Sequence, residues 1–147
     1  MILHTASESI TFTKKLENDS TTFYEGLAQR YSKDADIFLS FAKENKKNVV
    51  QIEKTYYEVI TDAIEGCFAF DIDTDNYSFK ITIPEGISYI EILNQAVYIE
   101  NKIMKFYLEA ANKSRGLMGD IPGVFATVAR KREQRRQMLG LLTMKVN

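Results

Sequence analysis

Cysteine and histidine are almost missing from this chain. The one cysteine, Cys67, has no partner for an internal disulfide and excludes a cysteine-cluster metal site. A lone cysteine of this kind reads as a small buried apolar side chain. The one histidine, His4, falls in a terminus expected to fray. Zinc, haem and non-haem iron centres draw on several His or Cys ligands, so a single imidazole does not define one. No apolar run approaches the roughly 20 residues needed to span a bilayer. Met1 to Ser20 is polar after Leu3 and has no signal-peptide core, which points to the cytoplasm.

What is present is ordinary for a globular protein: 147 residues, 45% apolar and 27% charged. That length suits one domain, residues 1–147, able to bury about two thirds of its unfolded surface. Net charge is −1 but unevenly spread. Residues 101–147 hold ten Lys/Arg against three Asp/Glu, which leaves nine against seventeen in the first 100. Such polarity favours pairing with another copy or with a charged protein. The overall balance is not basic, so nucleic acid is not an expected partner.

Apolar periodicity predicts four helices. The first runs from about Ser9 to Ser32, with Ile10, Leu16, Phe23, Leu27 and Tyr31 on one face. The second follows a short break, with Asp34 as a plausible N-cap, and runs to about Glu65, where Gly66 stops it. Its stripe is Phe38, Phe41, Ala42, Val49, Ile52, Tyr56 and Val59, while Lys43, Lys46, Lys47 and Lys54 face solvent. Residues 66–88 break the helical pattern. Asp71, Asp73 and Asp75 resemble the first positions of a calcium loop, but Asn76 and Thr82 stand where that loop needs Gly and Glu. Tyr77, Phe79, Ile81 and Ile83 alternate like a strand or extended strip, ended by Pro84 and Gly86. The third helix, about Ser88 to Lys113, opens on a capping box of Ser88 and Glu91. The fourth runs from near Pro122 to about Thr143 on Phe125, Val128, Ala129, Leu139 and Leu142, with Arg132, Arg135 and Arg136 on the same stripe.

The order is thus hairpin (about 9–65), long crossover (66–88), hairpin (about 88–143), an all-α antiparallel four-helix bundle. The two hairpins share a spacing. Glu17-x6-Tyr24 is followed by Phe38-x2-Phe41-Ala42-x2-Asn45-x2-Asn48. Glu100-x6-Tyr107 is followed by Phe125-x2-Val128-Ala129-x2-Arg132-x2-Arg135. With the apolar stripes turned inward, Glu17, Asn45, Asn48, Glu100, Arg132 and Arg135 converge. Buried charges must pair or reach water, and a guanidinium fits a carboxylate with two hydrogen bonds. Internal ion pairing is therefore expected; the alternative is that the arginines bend out to solvent.

With these residues the chain resembles the rubrerythrin-like branch of the ferritin-like superfamily, from about residue 10 to 142. That resemblance implies a ferritin-like bundle in which Glu17 and Glu100 match metal-binding carboxylates and Tyr24 and Tyr107 pack beside them. The family's two Glu-x-x-His motifs are replaced by Asn45-x-x-Asn48 and Arg132-x-x-Arg135. A register one residue earlier gives Glu44-x-x-Lys47, and one later gives Glu133-x-x-Arg136; both lose the histidines, and Glu44 turns to solvent. Amides are weak iron ligands and arginine does not coordinate at neutral pH. The expected function is accordingly a non-catalytic bundle that has lost its di-iron site and acts as a structural or interaction protein. It is expected to form a homodimer or larger homo-oligomer and to need no cofactor. The alternative is an iron-binding oxidoreductase of the resembled type, holding metal through Glu17 and Glu100. A third reading makes Arg132 and Arg135 an anion site, if a cavity opens there.

Overall fold

The computed structural model describes residues 1–59, 70–116 and 120–146. Four long helices build an all-α four-helix bundle: α1 (Ala6–Arg30), α2 (Ala35–Val59), α3 (Tyr89–Lys113) and α4 (Ile121–Val146). Helix α1 packs along α2, and α3 along α4. The two hairpins meet mainly where α2 contacts α4, with α1 touching α3. Among the described residues, no helix is long and apolar enough to cross a membrane.

Local sequence sets the helix ends. The Ser88 hydroxyl accepts the Glu91 amide and the Glu91 carboxylate accepts the Ser88 amide, the expected capping box. Thr5 and Glu8 build a second one at the start of α1. Pro122 occupies the first turn of α4, where a missing N–H costs nothing. Asp34, the expected cap of α2, instead lies in a 3-10 turn (Ser32–Asp34), and its carboxylate accepts the Tyr89 hydroxyl at 2.5 Å.

The core follows the apolar stripes. Leu16, Phe23 and Leu27 of α1, Phe38, Phe41 and Ile52 of α2, and Phe125, Val128 and Leu139 of α4 are all buried. So is one whole face of α3: Ile92, Ala96, Ile99, Ile103, Phe106 and Ala110. Lys43, Lys46, Lys47 and Lys54 are exposed. Arg136 is not in the stripe: it is half-exposed and paired to Glu133 at 2.6 Å.

Two expectations change outside the helices. The N-terminus is docked, not frayed. β1 (Ile2–Leu3) pairs antiparallel with β2 (Ile72–Asp73), Leu3 is fully buried, and the His4 carbonyl accepts the Phe70 amide. Two residues are too few to show an alternating pattern, so periodicity could not reveal this ladder. The 77–83 stretch has the expected alternation but is not part of a ladder. Tyr77 closes a 3-10 turn (Thr74–Tyr77), and an extended strip then runs to Pro84, where Gly86 turns the chain at φ 75°. The strip lies close on α1: a Cβ at Gly26 would meet the Ile83 side chain at 3.1 Å. The expectations for Gly66, Cys67 and the last turns of the second helix lie outside the described residues.

Candidate functional site: a closed polar centre

All six converging residues are in the bundle centre, and none is more than 1% exposed. Arg132 is the hub. Its Nη1 donates to both oxygens of Glu100, at 2.9 and 3.0 Å, and to Ser20 Oγ at 3.1 Å. Its Nη2 donates to Asn45 Oδ1 at 2.9 Å and pairs with Glu17 Oε2. Arg135 Nη1 donates to the same Asn45 oxygen at 2.8 Å and to Glu100 at 3.3 Å. Its Nη2 reaches outward to Glu44 at 2.6 Å and to the Phe41 carbonyl at 3.3 Å. Both arginines therefore turn inward and do not bend out to solvent.

The two tyrosines show the internal duplication in a form that spacing alone does not. Tyr24 of the first hairpin donates to Glu100 of the second at 2.6 Å. Tyr107 of the second donates to Glu17 of the first at 3.2 Å. Each hairpin thus supplies a hydroxyl to the other's carboxylate. The amides fill the remaining places: Asn48 Nδ2 donates to Glu17 at 2.9 Å, and Asn45 Nδ2 to Ser20 and Thr21 at 3.0 and 3.1 Å. The Arg135 guanidinium also lies 4.8 Å from the Phe41 ring centre and 5.6 Å from that of Tyr24. Among the described residues, only the Nε groups of Arg132 and Arg135 lack a partner within this cluster.

Burial dominates the electrostatics. It pushes Glu100 up from the ordinary carboxylate range, while Arg135 and the Tyr24 hydroxyl pull back. Burial and the adjacent Glu100 charge hold Tyr24 far above a normal phenol, and burial raises Tyr107 as well. Burial opposes the charge on Arg135, but Glu100, Tyr24 and Glu44 outweigh it and the group shifts up. Arg132 is drawn down by burial and by Arg135. Contact with two carboxylates keeps it protonated, because a guanidinium gives up its proton only under extreme conditions.

Three members of the network lie outside the six converging residues: Glu44, expected from the sequence only in a shifted register and turned to solvent, and Ser20 and Thr21, which the sequence did not single out as site residues. Glu44 is 37% exposed yet bonds the buried Arg135, because the long arginine reaches outward to meet it. Ser20 lies on the inward face of α1 one turn from Glu17, and Thr21 beside it; helical position was the available signal for both. Among the described residues, both guanidinium groups are bonded to groups of the centre itself and the residues around them are buried, an arrangement that does not favour an incoming anion.

No family model matches the chain, and no solved structure matches it. It is similar to prefoldin subunit alpha of Pyrococcus horikoshii, at 23% identity over 104 residues that cover 71% of this chain and 70% of the relative. That finding overturns the rubrerythrin-like, ferritin-like assignment and the function taken from it, both as a bundle that has lost a di-iron site and as an iron oxidoreductase. Metal binding falls with the assignment: among the described residues, no group of three or more His, Cys, Asp or Glu is placed to hold a metal ion. The physical reason lies in the duplicated motif. Glu, then Tyr, then polar groups three apart is also what a buried, charge-paired bundle centre requires, and here an amide (Asn48) and a guanidinium (Arg135) occupy the positions that would need imidazoles. Description of the six residues as remains of a ligand set thereby loses the resemblance on which it rested.

Proposed function

We propose that this chain is a non-enzymatic helical module that binds other proteins and acts as a subunit of an oligomeric assembly, with further copies of itself in a homodimer or larger homo-oligomer. The observation that carries it is the closed centre. Among the described residues, its buried acids, amides and guanidinium groups are bonded to one another and closed off from solvent, which leaves no acid or base of the centre exposed to meet a substrate. Large apolar side chains stand instead on outer faces: Leu39, Val50 and Tyr57 of α2, Tyr98 and Leu108 of α3, and Met138, Leu141 and Met144 of α4. Exposed apolar groups on these faces are available for contact with partners. Similarity to a protein named as a subunit supports the same reading. On this reading the chain takes no cofactor, because Arg132 and Arg135 provide the central positive charge.

Sedimentation of the purified chain over a hundredfold concentration range, with cross-linking in its native cells, tests the proposal. A mass above the monomer and defined cross-linked protein neighbours are expected. A monomer at every concentration with no cross-linked neighbour would refute it.

A further inference from the structure

Among the described residues, the extended strip after Tyr77 is held by side chains of α1 and α3 and pairs with no strand. Gln95 Nε2 donates to the carbonyls of Lys80 at 3.1 Å and Thr82 at 3.3 Å. Arg30 holds its far end through the carbonyl of Pro84 at 3.0 Å. Among the described residues, no backbone N–H from Ser78 to Ile83 donates a hydrogen bond. In extended chain the N–H and C=O of one residue point to the same side. The N–H groups of Lys80 and Thr82 therefore face Gln95, whose amide stands where the N–H of a neighbouring strand would be.

That side is also a groove. A depression of about 590 Å³ runs between the strip and α3, lined by Phe79, Lys80, Thr82, Pro84, Gln95 and Tyr98. A second, of about 400 Å³, continues past Tyr98 to Lys102 and Lys105. Tyr98 is 53% exposed between them, and Lys102 lies 5.5 Å over its ring. Among the described residues, no carboxylate lines either depression.

We propose that this groove takes an extended, acidic segment of a partner protein, added as a strand beside residues 79–83. The N–H groups of Lys80 and Thr82 donate to that segment's carbonyls, its own N–H groups take the Lys80 and Thr82 carbonyls over from the displaced Gln95 amide, and Tyr98 gives a flat apolar contact. Lys80, Lys102 and Lys105 receive its carboxylates. The inference rests on the protein-binding reading above and names the surface and the chemistry of the partner.

The test uses the full chain and an acetylated, amidated (Val-Glu)₄ peptide, followed by amide-resolved NMR and fluorescence anisotropy. Shifts confined to residues 79–83, Gln95, Tyr98, Lys102 and Lys105 are expected. Affinity should fall at least tenfold for (Val-Lys)₄, for a (Val-Glu)₄ with alternate backbone nitrogens methylated, and for Tyr98→Ala or Lys80→Glu/Lys102→Glu of unchanged helicity. Thr82→Pro, which deletes one donor, should lose binding without unfolding the bundle. Absence of binding, equal binding of the N-methylated peptide, shifts centred on the α2 lysines, or displacement by an equimolar eight-residue oligothymidylate would each overturn the proposal. If Tyr98→Ala still assembles as the parent does while the peptide fails to bind, the groove inference falls and the subunit reading stands.

Discussion

Replacing Arg132 by methionine would strand one buried acid, Glu17, and weaken the pairing of a second, Glu100. The substitution keeps a long apolar side chain, so little cavity is created, but it deletes both bonds to Glu100 and those to Ser20 and Asn45. The losses are unequal. Glu100 keeps Tyr24 at 2.6 Å and Arg135 at 3.3 Å. Glu17 keeps only the neutral donors Asn48 and Tyr107, having lost its cation. One carboxylate is thus left without a counter-charge and the other with one, which places the cost near the about 3–5 kcal/mol for breaking a single buried pair. For a chain of this length, that lowers the midpoint of thermal unfolding by roughly 6–20 °C. Urea unfolding followed by circular dichroism at pH 7 reads the difference directly. The pH dependence supplies a second check. Burial already raises Glu100 in the folded state, and loss of Arg132 raises it further. A carboxyl whose folded pKa exceeds its unfolded value binds more protons when folded, so it costs stability as pH rises through that window. The deficit of the variant should therefore shrink as pH falls from 7 toward 5. The neutral triple variant Glu17→Gln/Glu100→Gln/Arg132→Met should recover most of the loss. A penalty below about 1 kcal/mol at pH 7, typical of an exposed pair, would refute the closed ion-pair centre.

Tyr24→Phe removes a short hydrogen bond to a carboxylate and should cost about 1.5–3 kcal/mol, with Tyr107→Phe, whose bond is longer, costing less; the same urea titrations measure both. Leu3→Ala should destabilise by about 2–5 kcal/mol because Leu3 is fully buried; a frayed terminus would show almost no change. Anaerobic loading with ferrous iron, followed by gel filtration and elemental analysis, should leave no stoichiometric metal on the folded protein. One or two irons per chain would remove the cofactor-free reading.

Much of this architecture was legible because it rests on long, repeated signals. The stripes of α1 to α4 and the Ser88–Glu91 box are periodic or fixed-offset features, and the paired spacing from Glu17 and Glu100 brought six distant residues to one level. The parts that were not legible are short or depend on reach. A two-residue ladder has no period, so Leu3 and Ile72 gave no sign of pairing. Glu44 occupies a partly exposed helical position, and only the length of Arg135 brings it into the network. The strip at 79–83 alternates like any half-buried strand, but sequence does not show whether a neighbour completes it. Function was misread for a related reason: Glu and Tyr at these spacings satisfy a charge-paired centre as well as a metal site, and only the chemistry of the residues opposite separates the two.

The reciprocal tyrosine bonds and the shared guanidinium groups also limit how this protein can change over generations. Glu17, Glu100, Asn45, Arg132 and Arg135 satisfy one another, so a single replacement leaves its former partners buried and unmatched. Neutral drift at any one of them is blocked even though a wholly apolar or wholly neutral centre of the same volume could be equally stable. Such an alternative lies several simultaneous substitutions away, across intermediates that fold poorly. The interior is held in place by the depth of that valley, while the outer faces of α2, α3 and α4 remain free to be reshaped around new partners.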